Sequence, residues 1–83
     1  MNYRPVFSDK AVLFFISLSR RQQWKLLDRA QELAADPFLV PDFPGRDEDG
    51  REISHMLIDG WLFSYWIDRP AHLVMITDIE DCE

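Results

Sequence analysis

Few side chains in this 83-residue chain are equipped for proton or metal chemistry near neutral pH, the principal ones being His55, His72 and a lone thiol, Cys82. An unperturbed imidazole titrates near pH ~6.5, which makes His55 a candidate general base or acid. That role needs an oriented partner; the competing role is a half-buried histidine bonded to a strand neighbour or to a partner's carboxylate. Arg46 and Arg51 flank the acidic run Asp47, Glu48, Asp49. A guanidinium grips phosphate or carboxylate through a bidentate fork, whereas pairing inside the loop with those acids would be weak and local. His55, Arg51 and Arg46 are therefore the catalytic candidates.

Other patterns exclude more than they suggest. Asp47 and Asp49 look like a fragment of a calcium loop, but the remaining ligands and the distal glutamate of that motif are missing. The two histidines fall on different strand faces in the register derived below, and no carboxylate at helical or strand spacing completes a set, so no metal and no cofactor are expected. One cysteine allows no intrachain disulfide, and Cys82 reads as an exposed tail thiol. Arg20, Arg21, Lys25 and Arg29 lay a basic stripe along one helix, either a solvated face or a surface for an acidic partner or RNA. Trp61 reads as core; Trp66, on the other sheet face, reads as a contact residue, more suited to a peptide than to a base.

Charge narrows the partners. Residues 1–35 carry six Lys/Arg against three Asp/Glu, a balance of +3, while residues 36–83 carry three against twelve, a balance of −9; together they give the net −6. An acidic half repels phosphate backbones, so there is no strong nucleic-acid signal. The longest apolar run, Ala11 to Ile16, is far short of the roughly 20 residues that cross a bilayer, and no leader pattern opens the chain. A cytoplasmic protein without a membrane partner is expected. With 47% hydrophobic and 13% aromatic residues, the chain should fold as one domain spanning 1–83.

The elements that must position these side chains follow from pattern. Asn2 to Phe7 reads as a strand, with Pro5 tolerable only at an edge or bulge. Ser8 is an N-cap candidate for a short helix to about Leu18, and Ser19 with Gln22 forms a capping-box pattern for a second helix from about Arg20 to Ala35. Leu26, Leu27, Ala30, Leu33 and Ala34 recur there at helical spacing. Asp36 before Pro37 ends it. The stretch from Pro37 to Gly50 holds three of the five prolines and two of the three glycines and reads as a loop.

After Gly50 the period becomes two, and Asp59-Gly60 predicts a type I′ hairpin turn. That turn sets the register: Ile58, Met56 and Ser54 face Trp61, Phe63 and Tyr65 on one face, while Leu57 with Leu62, His55 with Ser64 and Ile53 with Trp66 form the other. A turn at Arg69-Pro70, with His72 at its edge, leads to a last strand from about His72 to Ile79, with Val74 and Ile76 on the first face and Leu73 and Met75 on the second. The expected fold is α+β: an N-terminal strand, a helical hairpin, then a three-stranded antiparallel meander, with the helices on one sheet face. The other face then leaves Ile53, Leu57, Leu62, Ser64, Trp66 and Met75 as partner-binding candidates, because monomers rarely leave such a patch in water.

At the level of whole segments, "YRPVFSDKAVLFFISLSRRQQWKLLDRAQELAADP", "GREISHMLIDGWLFSYWID" and "HLVMITDIED" resemble the strand, basic helical hairpin and meander of the RelE/ParE superfamily of bacterial type II toxins. The resemblance implies a toxin held inactive by a cognate antitoxin that covers its open sheet face, and a target of ribosome-bound mRNA or DNA gyrase. Ribosome-dependent endoribonuclease members carry basic residues on the meander strands. By the Gly60-Trp61 landmark, His55 stands where they carry a lysine, Ile53 at the neighbouring basic position and Leu62 where they carry an arginine, while the tail "DIEDCE" supplies acids in place of a basic residue and a tyrosine. The alternative from a different class is a non-catalytic protein-binding module of the same fold that forms a homodimer through the open face.

Overall fold

The computed structural model describes residues 2–39 and 41–82. Val40 of the expected loop and Glu83 of the acidic tail lie outside the described residues. The elements are β1 (Arg4–Phe7), α1 (Asp9–Ser17), α2 (Arg20–Ala35), β2 (Phe43–Arg46), β3 (Glu52–Ile58), β4 (Trp61–Asp68) and β5 (Leu73–Asp81). The five strands form one mixed sheet in the order β1-β5-β4-β3-β2, with β1 parallel to β5 and the other pairs antiparallel.

Both helices begin where serine supplies the missing acceptor. Ser8 Oγ accepts from the Ala11 amide and donates to the Thr77 carbonyl at 2.7 Å, so the cap also fastens α1 to β5. Ser19 Oγ accepts from the Gln22 amide. At the hairpin, Asp59 and Gly60 both adopt positive φ, 52° and 82°, as a type I′ turn requires. Five expected pairs hold: Ser54 with Tyr65, His55 with Ser64, Met56 with Phe63, Leu57 with Leu62 and Ile58 with Trp61.

The helices cover one face. Leu26, Ala30, Leu33 and Ala34 of α2 and Ala11 of α1 pack with Trp61, Phe63, Tyr65, Val74, Ile76 and Ile79. A bulge at Ser64/Tyr65 leaves Thr77 without a Cα partner across β4, which moves Ile79 onto this inner face. No helix among the described residues is long and apolar enough to cross a membrane.

One correction concerns the stretch after α2. Expected as loop throughout, it contains β2, with Phe43 paired to His55, Pro44 to Ser54, Gly45 to Ile53 and Arg46 to Glu52. Its prolines and glycine argue against a strand only in a sheet interior; β2 is the edge strand, where a missing N–H costs no ladder bond.

Candidate functional site

The sheet face away from the helices is built by odd-numbered residues of β3 and even-numbered residues of β4. His55 and Ser64 lie directly opposite each other, and His55 Nδ1 is 2.8 Å from Ser64 Oγ. Beside them, Arg46, Asp47, Ile53 and Thr77 complete a small cavity of about 240 Å³. Gly45 lies close against the imidazole: a Cβ there would approach His55 Nε2 to 3.1 Å. The imidazole is thus held by a strand neighbour, the arrangement that competes with a catalytic base. Among the described residues no carboxylate orients it.

The two arginine candidates separate. Arg46 lines the His55 cavity, but its Nη1 donates to the Gly50 carbonyl at 2.9 Å. Arg51 places its guanidinium 4.2 Å from the centre of the Trp66 ring and lines a different cavity. Neither pairs with the acids between them. Asp47 instead closes its own turn, its carboxylate accepting the amides of Asp49 and Arg51.

The apolar face is narrower than its residue pattern suggests. Ile53, expected in the exposed patch, is only 6% exposed. It adjoins β2 through Gly45 and lines the His55 cavity with Arg46 and Asp47, so the unexpected edge strand and its turn shelter it. Trp66 is half-buried under Arg51. Leu57 is 49% exposed, and Leu62, Ser64 and Met75 are half-buried with no helix over them.

On the helical side, Arg29 of the basic stripe bonds Glu32 and the Asp59 carboxylate of the hairpin turn, contacts that raise its pKa further. Lys25 lies 5.6 Å from the Trp61 ring. Sequence reasoning missed exposed apolar side chains on both helices: Leu13, Ile16 and Trp24 are 68%, 63% and 65% exposed. The signal was present, since α1 is apolar nearly all round and a single-layer helix can bury only one side. Trp24 gave none, being surrounded in sequence by polar residues.

Inside the core, the Tyr65 hydroxyl is buried and, among the described residues, has no hydrogen bond of good geometry. Burial pushes its phenol above the ordinary value of 10.0; Ser54, across the strand pair, opposes part of that and the Asp42 carboxylate adds to it. Among the described residues, no three His, Cys, Asp or Glu side chains gather into a metal-sized group.

No family model matches this chain, and no curated protein matches it. Solved structures do. The RelBE2 toxin-antitoxin complex from Mycobacterium tuberculosis aligns at a TM-score of 0.80 and 21% identity, over 98% of this chain and 92% of that one. The isolated Escherichia coli RelE toxin aligns at 0.73 and 14%, over 98% and 85%. The RelE-RelB complex from the archaeon Pyrococcus horikoshii aligns at 0.71 and 13%, over 98% and 96%. The α+β fold of this chain is that of the RelE toxins.

Proposed function

We propose that this chain is the toxin-type component of a type II toxin-antitoxin pair in the bacterial cytoplasm, bound by a cognate antitoxin and acting against translation or DNA gyrase. One observation carries the reading: a RelE-type sheet whose second face presents Leu57, Leu62, Trp66 and Met75 around the His55–Ser64 pair, with no helix over them. Apolar side chains on an open sheet face lose hydration water only if another chain covers them. The solved relatives include complexes of RelE with RelB, so an antitoxin is the natural cover.

The site favours binding over cleavage. His55 is engaged by Ser64 and Arg46 by a loop carbonyl, and Ile53 and Leu62 fill positions where the family resemblance implies basic residues in RNA-cleaving members. An endoribonuclease needs groups that orient a phosphate and stabilise its developing charge.

The deciding experiment is controlled induction in a bacterial host, with growth, protein synthesis and DNA synthesis followed together. Arrest that is reversed by co-expressing the neighbouring small reading frame supports the proposal, and the first synthesis to fall identifies the target. Normal growth with abundant soluble chain refutes it.

A further inference from the structure

Where β3 and β4 meet the segment following α2, a cavity of about 420 Å³ is lined by Phe38, Pro41, Trp66, Arg51, Arg69 and Glu52, among others. Its two arginines are held alike. Arg51 lies 4.2 Å from the Trp66 ring centre and Arg69 lies 4.7 Å from the Phe38 ring centre. Such a cation–π contact attracts a guanidinium to a ring without a carboxylate partner. Among the described residues neither guanidinium has an ion pair or a side-chain hydrogen bond, a freedom they share with Arg4, Arg20 and Arg21 but, unlike those, on a common cavity wall. Two arginines that line one concavity, neither paired with a carboxylate among the described residues, suit an anion.

The walls select the kind of anion. Phe38, Leu39, Pro41 and Trp66 are apolar, Glu52 contributes a negative charge to the same lining, and the whole chain carries −6. A polyanion would meet Glu52 and the acidic C-terminal half at every further phosphate. A single carboxylate beside an apolar side chain satisfies the arginines and the walls together. We propose that this cleft receives a single Glu or Asp side chain, flanked by apolar residues, from a peptide segment of a partner protein. The proposal rests on the partner-bound reading above and names the chemistry of the segment that docks.

The test uses the ¹⁵N-labelled chain titrated with N-acetyl-Leu-Glu-Phe-amide, its Gln counterpart, or an eight-nucleotide single-stranded RNA. Binding is read at the Arg51 and Arg69 Nε–H and Trp66 indole N–H signals. The glutamate peptide should move all three, bind at least roughly tenfold more tightly than the glutamine peptide, and lose about tenfold with either R51Q or R69Q. Equal binding of the two peptides, or no shift with the glutamate peptide, overturns the proposal. Shifts produced by the RNA and not by the peptide also overturn it and assign the cleft to nucleic acid. A chain that arrests growth yet ignores the peptide loses only this proposal; one that binds the peptide without arresting growth loses only the toxin reading.

Discussion

Replacing Tyr65 with Phe should stabilise this protein, although Tyr65 is among its most buried side chains. Its residue exposure is 0%, its ring packs in the core cluster, and among the described residues its hydroxyl has no hydrogen bond of good geometry. A buried hydroxyl left unsatisfied costs about 1–3 kcal/mol. Phe keeps the ring and removes that cost, while the vacated space is a single oxygen. A net gain of about 1 kcal/mol is expected, raising the melting temperature by roughly 4–8 °C for a domain of this size. Urea unfolding of both proteins gives the free energy directly, provided the two share one m-value. Destabilisation by about 1 kcal/mol would refute the reasoning, because it would mean that Ser54 satisfies the hydroxyl in solution. Ser54→Ala would then cost a similar amount, and the double variant would show strong non-additivity. Since Tyr65 faces the helices, Y65F should leave any growth arrest unchanged.

The same residue sets a pH dependence. With its folded pKa raised above 10.0, the unfolded chain loses the phenolic proton first, so this contribution to stability falls as pH rises past 10; the difference between wild type and Y65F should widen there. Ser8→Ala removes both the α1 cap and the bond to the Thr77 carbonyl, and should cost about 2 kcal/mol in denaturant unfolding. Gly45→Ala crowds His55 Nε2 and should disturb the His55–Ser64 hydrogen bond, visible as a shift of the His55 ring signals by NMR; an unmoved ring would show that β2 gives way instead. Leu57→Asp, at a half-exposed position, should change stability by no more than about 0.5 kcal/mol yet weaken antitoxin capture more than tenfold in a pull-down titration.

Local chemistry was enough for much of the fold. Ser8 and Ser19 mark helix starts because their side chains satisfy nearby amides, and Asp59-Gly60 marks the hairpin because its turn type needs two positive φ angles. From that turn, period-two counting places Ser54 through Ile58 opposite Trp61 through Tyr65 and puts His55 beside Ser64. The sequence therefore determined the helices, the hairpin register, the helix-covered face and the pairing at the centre of the candidate site. Three features depended on contacts that local residue pattern does not reveal. The stretch Phe43–Arg46 became a strand because β3 offered it an edge, where proline carries no penalty, and that edge sheltered Ile53. Arg51 found Trp66, and Arg69 found Phe38, by tertiary contacts that spacing does not encode. Only the tertiary structure decided which cations stayed unspent, because the pairing of a flexible guanidinium depends on which carboxylate or ring the completed fold brings within reach.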